Sequence, residues 1–193
     1  MVHARMTASV FDRLRLFGAD ARGVAAIEFG VTGLMLAIAL VNAVDVGYYA
    51  YRRMEVENAA EVGAQAAWKT CNNLQSNMLP ATDPTKCPGL NAAITTAIQS
   101  TTVGTAVSLD PTINPNPAED YRCVNASNVL QSVGSVSSPP PNCAAAGNVA
   151  ASPGDYLQVG VTYPYQSLFP GSISVMSVSG ITSITKTSWM RMG

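Results

Sequence analysis

The chain has 193 residues, of which 12% are charged, and its net charge is −1. So balanced a charge produces no extended field for nucleic acid or an acidic substrate, and no nucleic-acid partner is expected. The length accommodates one membrane segment and one modest domain.

Residues 1–23 read as a cytoplasmic leader carrying Arg5, Arg13, Arg15 and Arg22. Residues 24–44, VAAIEFGVTGLMLAIALVNAV, then form an apolar run broken only by Glu28 and closed by Asp45. At 1.5 Å per residue this run reaches about 30 Å, the thickness of a bilayer core, and predicts a transmembrane helix. The basic excess precedes it, whereas Arg52 and Arg53 beyond it are followed by Glu55, Glu57 and Glu61. The positive-inside rule therefore places the N-terminus in the cytoplasm and the rest outside. A cleaved secretory signal peptide shares the basic start and the apolar run, with Val41-Asn42-Ala43 as a passable cleavage site. The length of the run and the carboxylate near its start weigh against that reading.

Residues 45–69 contain no proline and are rich in Ala, Glu, Arg and Gln, so the helix is expected to continue beyond the membrane. Tyr49, Val56 and Gly63 recur at seven, with Ala59, Ala60, Ala66 and Ala67 between them. Such a narrow face of small residues suits close packing, on the chain's own domain or on a second subunit.

Residues 70–193 read as an exported α+β domain. After a Pro- and Asn-containing loop over 70–88, Leu90, Ala93, Ile94, Ala97 and Ile98 have the spacing of a short amphipathic helix. Strands are expected at Thr105–Leu109, Asp120–Val124, Tyr156–Tyr163 and Ile181–Met190, and a long loop over 126–155. The fold class is thus α+β: a long N-terminal transmembrane helix continuing into an exported domain with one short helix and a small antiparallel sheet.

All four cysteines, Cys71, Cys87, Cys123 and Cys143, follow the apolar run. An even number confined to one side predicts disulfides in an oxidising compartment. Three pairings are possible; Cys71–Cys87 and Cys123–Cys143 are favoured because each closes a short loop. A zinc site fits less well, since there is no Cys-x-x-Cys and the only histidine, His3, lies in the leader.

A carboxylate within a membrane helix is costly and invites a reason. Glu28 stands five residues after Gly23 and just before Phe29. Cutting after Gly23 would make Val24 the new N-terminus and Glu28 the fifth mature residue. This stretch resembles the Gly-x-x-x-x-Glu-aromatic processing motif of tight-adherence pilins, and residues 23–67 resemble TadE-like minor pilins or pseudopilins throughout. Residues 156–191 match that family in outline, whereas 70–155 match nothing identifiable. The leader, with Asp12 and Asp20, is somewhat long for the family.

The resemblance implies that a prepilin peptidase cuts between Gly23 and Val24, and that Glu28 and Phe29 act in assembly. It implies other pilins, assembly-platform proteins and the inner membrane as partners, with the domain periplasmic, or extracellular once in a pilus. The role implied is structural, in pilus assembly and surface attachment. No phosphate loop, zinc-protease or nucleophile-elbow motif is present, so neither enzyme activity nor a cofactor is expected. Asp83, Asp110 and Asp155, each beside Pro or Gly, read as turn formers rather than metal ligands. The alternative function is an uncut, membrane-anchored periplasmic binding or sensor domain acting alone.

Overall fold

The structure, a computed structural model, describes residues 21–71, 79–169 and 180–193. Most of the leader, including Arg5, Arg13 and Arg15, lies outside the described residues.

Helix α1 runs from Ala21 to Cys71 without interruption. No proline occurs before Pro80, so every backbone N–H in this stretch is available to the helical ladder. Lys69 in its last turn complements the negative end of the helix dipole. The apolar run and its extension therefore form one rod, about 76 Å long at 1.5 Å per residue. Helix α2, Leu90–Gln99, starts after Gly89, whose positive φ of 90° suits a residue without a side chain. It buries Leu90, Ile94 and Ile98, one residue per turn on a single face.

Among the described residues, five antiparallel strands form one sheet: β1 (Ser108–Leu109), β2 (Ala118–Val124), β3 (Leu130–Ser135), β4 (Gly154–Pro164) and β5 (Ser183–Arg191). Strand β4 is central. One of its edges pairs along its length with β5, from Tyr156↔Arg191 to Pro164↔Ser183. The other edge is shared end to end, by β2 over Gly154–Gln158 and by β1 over Val161–Thr162. The Asn116 side chain fills the gap between them: its amide donates to the carbonyls of Asp110 and Gly160 and accepts the Gly160 N–H. It thus supplies the hydrogen bonds of a missing peptide group. Strand β3 pairs with β2 at the far edge, with a register shift at Tyr121/Arg122.

One face of the sheet packs on the helices. Leu157, Val159 and Val161 alternate along β4 and are fully buried, as are Val56, Ala59, Ala60, Ala64 and Ala67 on α1. The small-residue face of α1 therefore packs on the chain's own domain. Gly63 lies at the closest approach, where an added Cβ would stand 2.8 Å from Ile98 Cγ2 and 3.2 Å from Val159 Cγ1. On the opposite face of the sheet, the Arg122 guanidinium stacks 3.7 Å from the Trp189 ring centre while its Nε donates to Asp120.

Disulfides join Cys71 to Cys87 and Cys123 to Cys143. The first joins the end of α1 to the approach to α2 within the main core. The second holds a separate small cluster with Ala146, Val133 and Ala151.

Three expectations need correction. Strand β3 lies within 126–155, expected to be loop. Asn125 makes this possible: its side-chain oxygen accepts the Ser127 and Val129 N–H groups, and Asn128 adopts a positive φ of 57°, closing a hairpin. Asp155 does not form a turn but lies within β4, opposite Tyr121, and is 4% exposed. Asp83 and Asp110 do form turns, each accepting the N–H and hydroxyl of the threonine two residues on. Strand β1 is also shorter than expected, because Gly104–Ala106 forms a 3-10 turn.

Candidate functional site

Every residue from Gly23 to Ala37 is exposed. Ile27, Phe29, Leu34 and Met35 are each more than 60% exposed. The most apolar stretch of α1 has a mean hydropathy of 2.2 and is wholly uncovered, and among the described residues this is the one helix long and apolar enough to cross a membrane. A bare apolar rod of this kind requires a non-aqueous surrounding, either lipid or other apolar helices.

The predicted processing and assembly residues lie together at its start. Gly23, Val24, Glu28 and Phe29 occupy the first turns of the described helix, all exposed. Nothing lies within 4 Å of the position a Gly23 Cβ would take. Val24 is 59% and Phe29 81% exposed. Among the described residues no contact brings this group to the domain.

Where the domain first meets the helix, a polar and aromatic collar grips one side of α1. Asn42 is buried and its side-chain amide donates to the Ile38 carbonyl. Asp45 is 1% exposed and accepts the Leu168 N–H at 2.9 Å. Tyr165 packs edge-on against Tyr49, with ring centres 5.3 Å apart, and tilted against Tyr48 at 6.1 Å. One turn further, Arg52 donates from Nε to the Tyr48 hydroxyl and from Nη1 to the Glu55 carboxylate at 2.8 Å. Its guanidinium also lies over the Tyr48 and Tyr163 rings. Burial pushes the Glu55 carboxyl up, but hydrogen bonds from Thr102, Tyr51 and Arg52 outweigh it and hold the carboxyl below its ordinary range. Lys186 on β5 closes the collar with an ion pair to Glu57. These contacts fix the rod relative to the domain.

The sequence reading missed this collar. Asp45 read only as the end of the apolar run, and Arg52 only as a charge flanking it. The one available signal was four tyrosines, Tyr48, Tyr49, Tyr163 and Tyr165, in two short clusters.

A second carboxylate site lies under the first disulfide loop. Glu119 on β2 accepts the N–H groups of Ala81 and Thr82 and the Thr82 hydroxyl, tying that loop to the sheet. Asp155 lies on the same face, and its Oδ1 has no hydrogen-bond donor among the described residues. Burial, then the neighbouring Glu119 carboxylate, then Asp120 push the Asp155 carboxyl up to about 7. Two carboxylates so close share one proton more easily than they carry two charges.

The model of the TadE-like protein family matches residues 23–65. This segment of the chain is TadE-like. The match begins at the glycine before the predicted cut, spans the bare stem and the α1 residues of the collar, and ends within the part of α1 that packs on the core. The TadE-like segment thus coincides with a single structural unit, the rod, and includes none of the sheet. The closing segment 156–191, expected from the sequence to follow the family in outline, lies outside the match. No curated protein and no solved structure matches the chain.

Proposed function

We propose that this chain is a minor pilin or pseudopilin of a tight-adherence pilus, with a structural rather than catalytic role. The observation that carries this reading is the bare, TadE-like rod, rigidly continuous with a folded, disulfide-bearing domain. A pilin needs that combination: a helix that can pass from lipid into a bundle of like helices, and a head that travels with it.

On this reading the N-terminus is cytoplasmic, α1 crosses the inner membrane once, and the domain is periplasmic or, in a pilus, extracellular. A prepilin peptidase cuts between Gly23 and Val24. The exposure of this stretch supports access by a membrane protease, and glycine weakens the local helix by about 1 kcal/mol relative to alanine, which eases the unwinding a cut requires. The new amine of Val24 and the Glu28 carboxylate then neutralise each other between neighbouring subunits, alongside other pilins and the assembly platform.

The test is co-expression with an active prepilin peptidase. The membrane-bound chain should shorten by its leader, and replacing Gly23 with a bulky residue should block the change. An uncut chain that functions alone would instead be a membrane-anchored binding or sensor domain.

A further inference from the structure

The collar places a piece of the domain at the membrane boundary. From Gly23 to Asp45 the helix rises about 33 Å, against a bilayer core of about 30 Å. If Arg22 marks one boundary, Asp45 stands at the other. The Leu168 N–H is bonded to Asp45, so the backbone there is held at that level. Yet Leu168 remains 47% and Phe169 36% exposed, although Asp45 beside them is buried. Val44, the neighbour of Asp45, is 54% exposed, so apolar surface on the helix reaches the same height. Tyr48, Tyr49 and Tyr165 pack together there, the residue type that collects at bilayer interfaces. Arg53, exposed two turns above Val46, is within reach of lipid phosphates.

We propose that Leu168 and Phe169 form a second membrane contact, seated in the headgroup region of the leaflet that faces the domain. This rests on the reading of α1 as a membrane-crossing helix. The occupant is lipid rather than protein because the exposed pair continues the apolar surface of the stem at the level where the bilayer ends. The contact would fix the tilt of the domain on the membrane and would have to be broken before the subunit enters a filament.

The test uses the full-length protein with its native disulfides intact, reconstituted at low density in phosphatidylcholine–phosphatidylglycerol vesicles. Nitroxide labels are placed by Leu168→Cys and Phe169→Cys. Val31→Cys in the stem serves as the lipid reference. Val149→Cys, 71% exposed and just beyond the 3-10 turn Ala144–Ala146 that packs on β3, serves as the water reference. Accessibility is read with oxygen and with a water-soluble nickel complex, and unchanged thermal unfolding verifies that each labelled chain is folded. Labels at 168 and 169 should show an oxygen-to-nickel ratio several-fold above that at 149 and below that at 31. If 168 and 169 match 149 while 31 reads as lipid, the second contact is wrong and the membrane span stands. If 31 also reads as water, both fall. Labels shielded from both reagents would indicate a protein neighbour and overturn the proposal.

Discussion

Glu28 is the one acid in the apolar run, and it stands on the wholly exposed first part of α1, well before the stretch that packs on the domain. At the centre of a membrane helix a carboxylate costs about 2.5–3.5 kcal/mol on insertion scales, and less toward an edge. Gln would insert more easily, so Glu requires a partner that insertion does not supply. Glu28→Gln should leave membrane insertion, cleavage and both disulfides intact while reducing recovery with other pilins. Crosslinking read beside protease accessibility checks this; normal assembly of the variant would remove the role assigned to Glu28. Gly63 is the counterpart inside the domain. A Cβ at 2.8 Å from Ile98 must push a fully buried side chain, and the gain in helix propensity from glycine to valine, about 0.4 kcal/mol, does not offset overpacking by a branched residue, about 1–3 kcal/mol. Gly63→Val should therefore lower unfolding stability by about 2 kcal/mol, measured in denaturant. Asp155 gives a pH signature. Its folded pKa, about 7, lies above the ordinary 3.8, so the folded chain holds a proton that the unfolded chain releases. Stability from this group is full below about pH 4 and declines as pH rises to 7, by at most about 1.4 kcal/mol for each pH unit crossed. Glu55, held below its ordinary range, acts oppositely, but only as pH falls below 4.5. Between pH 5 and 8 the full chain in detergent should therefore melt lower as pH rises, and Asp155→Asn should flatten that slope. An unchanged slope in the variant would assign the pH dependence to other groups.

Among the elements, the first disulfide matters more than the second. Cys71 and Cys87 are 16 positions apart and join the end of α1 to the start of α2, inside the main core. Closing a loop of that length stabilises by about 3 kcal/mol on the chain-entropy account. The second disulfide braces a satellite cluster beside the β2–β3 hairpin. Replacing Cys71 and Cys87 with serine should reduce global stability by about 2–4 kcal/mol. Replacing Cys123 and Cys143 should mainly speed amide exchange in β3; equal global losses from the two pairs would contradict this ranking. The same contrast explains what was legible in the sequence. Helix α1 and helix α2 are local periodic objects, and their signals in apolar spacing and absence of proline survive without knowledge of the fold. The pairing of cysteines follows from short loops for the same reason. Strand β3, LQSVGS, has little apolar alternation and is defined by a turn at Asn125 and by its partner β2, neither of which periodicity detects. Asp155 beside Gly154 carries the local signature of a turn, but pairing with Tyr121 and Met192 draws it into the sheet. The collar was hidden because Asp45 meets Leu168 across 123 positions of chain.

At the scale of the whole molecule, two surfaces of opposite character lie on one rod. From Gly23 to Ala37 it is exposed on every side and, Glu28 and Thr32 apart, free of polar side chains, and from Asn42 onward one face is buried by collar and core. The helix is continuous across the join, so a force or contact on the stem is transmitted to the domain directly. This is what a subunit drawn from a membrane into a filament requires, and the TadE-like match covers the stretch that would do it. A domain tethered only to stay near a membrane would need neither the Gly23–Glu28 spacing nor a rigid join. Release of the rod by a cut at its start is read from the intact mass and N-terminal residue of the chain purified from its native membrane. The chain should begin at Val24, with all four cysteines oxidised; a chain beginning at Met1, or at Val44 after cleavage by signal peptidase, would rule out the cut after Gly23.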